Sequence, residues 1–290
     1  MNNSLEVLSK IYKPIRITKI NNCYVMKTME QDIVVKMSSK INYQKLYNYL
    51  KSRNFGYFPK LISNNRDGVN VFEYVEDVNI SLEQKALDLI KVVALLHSKT
   101  TYFKEVTKDK YKEIYETLEN NLLYVEEVYS KRFDEYILEE YLRPSYYLFL
   151  RNYFLITNAI AYAKDKLETW YNKYADNLKQ RVCLIHNNLS LDHFMKNEKE
   201  YLISWDNYMV DSPIIDLYKF YQKEWEKVDF ASLLAAYNEE FALLDEEKML
   251  LDIIISIPSE VKIVDDEMEN CRNYRKLISY LYKTSYLVQT

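Results

Sequence analysis

Glycine is nearly absent from this chain of 290 residues: there are 2, where an average usage of about 7% would give about 20. That scarcity argues against a phosphate cradle built on a glycine-rich loop, of either the dinucleotide-binding or the P-loop kind. With only 5 prolines as well, collagen-like and low-complexity linker sequence is excluded. Cysteine is sparse. Cys23, Cys183 and Cys271 are widely separated and odd in number, which points to a reducing compartment rather than a disulfide framework. There is no excess of basic charge: 39 Lys and Arg stand against 43 Asp and Glu, for a net −4. A nucleic-acid surface normally declares itself as a strongly basic face, so no nucleic-acid partner is expected. The first residues, MNNSLEVLSKIYK, lack the apolar core of a signal peptide. The longest apolar stretch, Leu250 to Ile257, is too short for a bilayer. No membrane partner is expected, and the cytoplasm is the expected location.

What is abundant is tyrosine, at 29 residues, mixed with Asn, Lys and Ile. An AT-rich genome produces such a bias, and the Tyr-rich helices read as packed amphipathic faces. A length of 290 suggests two domains or one large fold of two lobes. After a short N-terminal helix, strand-like runs appear at Ile15 to Ile20, Cys23 to Thr28 and Asp32 to Met37, the last two joined by a tight turn at Met29 to Gln31. They read as an antiparallel meander. Ile41 to Phe55 has helical spacing at Leu46, Tyr49 and Leu50, with Gly56 as its stop. Two more strands are expected near Lys60 to Ser63 and Val69 to Val75, around a turn ending at Gly68. Beyond Asp77 the pattern turns helical. Ser81 followed by Gln84 makes a capping-box start, and long helices are expected over Lys108 to Glu140, Tyr146 to Lys179 and from Ile215 onward. The expectation is an α+β chain with a small sheet-rich lobe over 1–77 and a large, mainly helical lobe over 78–290, the break lying near Tyr74 to Ile80.

The helical lobe is interrupted once, by RVCLIHNNLSLDHFMKNEKEYLISWD between Arg181 and Asp206. His186, Asn188, His193 and Asp206 stand there with the spacing of a kinase catalytic loop and metal-binding strand. In this stretch the sequence resembles the aminoglycoside phosphotransferase/choline kinase family, whose loop reads H-G-D-x-x-x-x-N before an I-D-W segment. Further pieces occur in the right order: ALLHS around His97, DSPIIDLYKF from Asp211 to Phe220 with Asp216 at a structural aspartate, and VFEYVE from Val71 to Glu76 at the hinge. HNNLSLDHF and LISWD are most similar to the spore-coat-associated kinase-like branch.

The resemblance implies a bilobal protein-kinase-like fold, with ATP and Mg²⁺ as cofactors and a small-molecule acceptor. It puts Lys36 at the phosphate-binding lysine and Glu73 and Val75 in the nucleotide hinge. Asn188 falls at the catalytic aspartate, His193 at the metal-binding asparagine and Asp206 at the metal-binding aspartate, while His186 has a structural role. Several positions depart from that pattern. An amide can orient a hydroxyl but cannot take its proton, and loss of a general base costs about 10²- to 10⁴-fold. Imidazole suits zinc, copper or iron better than Mg²⁺, which prefers oxygen. No Asp or Glu occurs between Ser38 and Arg66, so the helix after Lys36 offers it no carboxylate. The first loop, with Asn21 and Asn22, has no glycine. Cys183, His186 and His193 match no standard zinc spacing. Three readings stand side by side: an impaired, pseudokinase-like member acting through a bound ligand or protein partner, an active small-molecule kinase, and a structural coat or scaffold protein.

Overall fold

The computed structural model describes residues 3–21, 23–37, 41–64 and 69–288. The N-terminal part is a five-stranded antiparallel sheet with a helix on each face. Helix α1 (Asn3–Tyr12) precedes β1 (Arg16–Ile20), β2 (Cys23–Lys27) and β3 (Ile33–Lys36). These form the expected meander, with Thr18 opposite Val25 and Val25 opposite Val34. Thr28 closes the β2–β3 turn, its hydroxyl donating to the Gln31 carbonyl at 2.7 Å. Helix α2 (Tyr43–Ser52) begins at Asn42, whose side chain accepts from the Lys45 amide, a standard N-cap. Its buried positions Tyr43, Leu46, Tyr47 and Leu50 follow one helical stripe. The helix ends at Ser52, four residues before Gly56, because Asn54 already turns the chain with φ 57°. Strands β4 (Leu61–Asn64) and β5 (Asn70–Glu73) complete the sheet in the order β1-β2-β3-β5-β4. The expected turn at Gly68, like Asn22, lies outside the described residues.

Alternation along β3 decides what each face meets. Ile33 and Val35 turn toward Leu5 of α1, together with Met26, Val69 and Val71. Val34 turns the other way, onto the large core that includes α2. Lys36, two positions on, shares the face of Val34.

Helix α3 (Leu82–Thr100) opens the large lobe; Ser81 accepts from the Gln84 amide, and the Gln84 side chain donates forward to Asp88 at 2.7 Å. The strand β6 (Tyr102–Glu105) follows, then the long hairpin α4 (Lys108–Ile137) and α5 (Pro144–Tyr174). Both helices are shorter than their sequence patterns suggest: Lys179 belongs to β7 (Lys179–Ile185), which pairs antiparallel with β6. A hairpin of β8 (Phe194–Lys196) and β9 (Glu200–Leu202) and a short β10 (Met209–Asp211) precede helices α6 (Ile214–Glu224), α7 (Phe230–Glu240), α8 (Asp245–Ser256) and α9 (Glu267–Leu287). Tyrosines knit this lobe: Tyr136 stacks on Tyr146 at 3.7 Å, and the Tyr129 and Tyr280 hydroxyls donate to the carbonyls of Ser259 and Ile255. The β8–β9 hairpin ties the lobes together, since the Leu202 amide donates to the Tyr57 carbonyl and the Val78 amide to that of Lys196, both at 2.8 Å. No described helix is long and apolar enough to cross a membrane.

Candidate functional site

Strand β7 delivers the chain into the cleft and then has to stop. His186 is fully buried at its end; its Nε2–H donates to the Ile203 carbonyl at 2.8 Å, and its ring lies 4.9 Å from that of Trp205. Burial pushes the imidazole down to about 4, so at neutral pH it is uncharged. The next residue, Asn187, adopts φ 61°, a left-handed conformation that asparagine tolerates better than most residues.

The turn is held from beneath by Asp216 of α6. Its carboxylate accepts from the backbone amides of His186 (2.7 Å) and Asn187 (2.6 Å) and pairs with His97 Nε2 at 3.2 Å. Burial would raise this carboxyl, but the hydrogen bonds it accepts from His97 and from the His186 amide, with the electrostatic pull of its surroundings, outweigh it and hold it below the usual range. His97 is itself fixed by the Tyr237 hydroxyl at 2.7 Å. Three segments far apart in sequence therefore converge on one buried carboxylate.

The loop side chains then spread outward. Asn188 accepts from Lys223 of α6 at 2.7 Å through Oδ1, while its carbonyl accepts from His193 Nδ1–H, also at 2.7 Å. Asn187 accepts from Lys219 of α6 and donates to the Asn207 carbonyl at 2.9 Å. Asn207 is next to Asp206, on a single helical turn that Ser204 enters with φ 64°. The Ile203 amide donates to the His193 carbonyl at 3.0 Å, so the loop and the Asp206 segment are stitched together at both ends.

Lys36 reaches this assembly from the sheet and forms an ion pair with Asp206 Oδ2. The other carboxylate oxygen accepts from the Tyr43 hydroxyl of α2 at 3.0 Å. Lys36 and Asp206 thus pair between the sheet and the large lobe, and the loop that carries Asn188 and His193 is tied to the Asp206 segment through the Ile203 amide and the Asn207 carbonyl. Helix α2 itself carries no carboxylate for Lys36. A carboxylate of another element takes that place, and α2 contributes a phenol where a glutamate was sought.

The residues that the resemblance puts at a hinge make local contacts. Glu73 Oε1 accepts from the Lys60 amide at 2.8 Å, and the Glu73 and Tyr74 amides donate to the Lys60 and Asp32 carbonyls. Val75 is buried between β5 and α3. Cys23, opposite Lys36 on β2, has its thiol pushed up by burial, with Lys36 opposing the effect. Cys183 lies buried in β7. Among the described residues, no three His, Cys, Asp or Glu side chains are grouped to hold a metal ion. Reasoning from sequence missed Tyr43, Lys219 and Lys223. The two lysines were within reach of it, because positions 216, 219 and 223 share one face of a helix.

No family model matches the sequence, and neither does any curated protein. Solved structures do match. An aminoglycoside phosphotransferase from Alicyclobacillus acidocaldarius superposes with a TM-score of 0.69 at 11% identity, covering 95% of this chain and 92% of that one. A spectinomycin phosphotransferase matches in its AMP complex (TM-score 0.58, 12% identity, 96% and 97% covered) and in its complex with ADP and spectinomycin (0.52, 14%, 97% and 98%). The fold is the bilobal, mixed α+β kinase-like fold of these phosphotransferases, with a small antiparallel sheet and a large helical lobe.

Proposed function

We propose that this protein is a kinase-like protein that binds nucleotide between its lobes and is impaired in phosphoryl transfer. The observation that carries the reading is Asn188. By the spacing of its loop it falls where a kinase's general base is expected, and its side-chain oxygen accepts from Lys223 and its carbonyl from His193. An amide there orients an acceptor hydroxyl without accepting its proton.

Nucleotide binding keeps better support than chemistry does. Lys36 is held in the cleft by Asp206, and the neighbouring spectinomycin phosphotransferase structures hold AMP or ADP. With the Glu73 side chain and amide spent on Lys60, the hinge contact falls to Val75. The donor set fits one Mg²⁺ brought in with phosphates, because that ion is bound through one or two carboxylates plus phosphate and water. Asp206 would hold it. His193 offers only imidazole nitrogen, so a second Mg²⁺ does not fit. When bound, the ion would neutralise phosphate charge, and Lys36 would orient the phosphates.

The Lys36–Asp206 pair also favours a second reading, an active ATP-dependent small-molecule phosphotransferase, because it restores lysine positioning by another route. The likeness of HNNLSLDHF to the spore-coat-associated branch supports action beside a protein partner at a spore coat, after synthesis in the cytoplasm.

The test is a thermal-shift titration with ATP, with and without Mg²⁺ or Mn²⁺, paired with single-turnover phosphate release. ATP at about 100 times its Kd should stabilise the protein by about 2.7 kcal/mol. Absence of any shift would overturn nucleotide binding and leave a scaffold. Turnover at about 1 to 100 s⁻¹ would overturn impairment and establish the active kinase.

A further inference from the structure

On α6, Lys219 and Lys223 lie one turn apart on the face that meets the loop, and their ammonium groups end on the side-chain oxygens of Asn187 and Asn188. Residues four apart on a helix are about 5–6 Å from each other at Cβ, so two positive charges are held side by side. Their partners are neutral amides. Among the described residues, neither lysine has a carboxylate within ion-pair distance, whereas nearby lysines do: Lys227 pairs with Glu224, Lys276 with Glu226 and Lys36 with Asp206. The acidic groups closest to the pair are already committed. Asp216 is spent on the loop amides and His97, and Glu224 on the Leu191 amide and Lys227. Partial burial and the neighbouring Lys219 push the Lys223 ammonium below its usual range, outweighing the opposite pull of Glu224 and Asp216.

We propose that the loop side of α6 is an anion site, and that the small molecule entering beside Asn188 carries a phosphate group bound between Lys219 and Lys223. The proposal rests on the kinase-like reading only in taking Asn188 to mark the acceptor side. Ammonium groups bind phosphate through charge-assisted hydrogen bonds, stronger than the amide contacts they would replace. Asn187 and Asn188 then hold the empty-state lysines in place and release them to the ligand. A cationic acceptor is disfavoured here, because it would have to approach two unneutralised ammonium groups.

One chemistry has two sources: a phosphorylated acceptor, or the terminal phosphate of a nucleotide reaching across from Lys36. Calorimetric titration of inorganic phosphate into the full-length protein, alone and with a saturating non-hydrolysable ATP analogue, separates them. Persistence of phosphate binding beside the analogue assigns the site to the acceptor, and competition assigns it to the terminal phosphate. In either case Lys219→Gln with Lys223→Gln should weaken phosphate binding by about tenfold or more, and Lys219→Arg with Lys223→Arg should largely retain it. Spectinomycin, the ligand of the structural neighbour, should bind no better to wild type than to the double Gln variant. Lys36→Met keeps the two proposals apart: it should abolish the ATP effect and leave phosphate affinity alone. Phosphate affinity equal in wild type and a folded double Gln variant, no phosphate binding by wild type, or spectinomycin binding that depends on these lysines would overturn the anion site. If the Gln variant does not fold, loss of phosphate binding in Lys223→Gln alone, with wild-type affinity falling as salt rises, decides in its favour; salt-independent affinity decides against it.

Discussion

Lys36 and Asp206, 170 positions apart, share an ion pair in which the aspartate is also bonded to Tyr43. One carboxylate thus serves the sheet, α2 and the large lobe together. In the proposed site it also has to serve the metal. A nucleotide–Mg²⁺ complex would draw Asp206 away from Lys36 and hand the lysine to phosphate. Asp206→Asn should therefore abolish the extra stabilisation that Mg²⁺ adds to ATP while leaving a metal-independent ATP shift. Parallel thermal-shift titrations read this directly. An unchanged Mg²⁺ increment in Asp206→Asn would contradict it.

Tyr43 brings to the Asp206 carboxylate one hydrogen bond from an uncharged donor beside its ion pair with Lys36, so its removal should be mild. Tyr43→Phe keeps the ring packed against Phe72, at 4.9 Å, and deletes only the hydroxyl. A loss of about 1 kcal/mol in stability is expected, with a larger proportional loss of ATP affinity because Asp206 and Lys36 lose their tether to α2. Denaturant unfolding and nucleotide titration on one preparation measure the two effects.

Loop reversion tests the chemistry. Asn188→Asp restores a base, and its carboxylate gains Lys223 as an ion-pair partner in place of an amide contact. His193→Asn restores an oxygen donor on the metal side. Each alone should leave single-turnover phosphate release slow. The double variant should exceed the product of the single effects, because both groups serve one transition state. Multiplicative gains would mean that the two sites act independently.

His186 makes stability depend on acid. The folded protein keeps it neutral down to about pH 4, while an unfolded histidine takes a proton near 6.5. Between those values the unfolded state binds more protons, so stability falls as pH falls through the window, by about 3 kcal/mol in all. Asp252, whose carboxyl burial raises to about 6, works in the opposite direction over part of the same range. Comparing wild type with His186→Gln cancels that contribution. Any stability advantage of wild type at pH 7 should shrink steadily toward pH 4, as followed by urea midpoints; a constant difference would refute the assignment.

The loop from His186 to Asp206 stood out in the sequence because its polar residues recur at fixed spacings between short apolar runs, and the strands of the sheet because β-branched runs alternate between turns. Strand β6 was not. All four of its residues are exposed, so no alternation betrays it, and only the partner β7 makes it a strand. Helix ends were misplaced where an asparagine in a left-handed turn, rather than a glycine, stopped the helix, as at Asn54. Tyr43 escaped because a search for a carboxylate passes over a phenol. Lys219 and Lys223 gain meaning only once Asp216 fixes the rotation of α6 and turns them toward the loop.

Among the described residues, five that are not glycine hold positive φ: Lys13, Asn21, Asn54, Asn187 and Ser204. Each costs about 1–2 kcal/mol in an ordinary L-residue, less in asparagine. A chain with 2 glycines in 290 has a compensation that no contact in the folded state reveals. Each non-glycine residue that occupies a position without strain narrows the unfolded ensemble and stabilises by about 0.4–1 kcal/mol relative to glycine. The disordered chain is stiff, so folding forfeits less backbone freedom, and the molecule tolerates two strained corners, at Asn187 and Ser204, on either side of its cleft. Of these, Ser204 lacks the tolerance of asparagine, and it is there that a glycine would raise heat resistance while loosening the hold on Asp206.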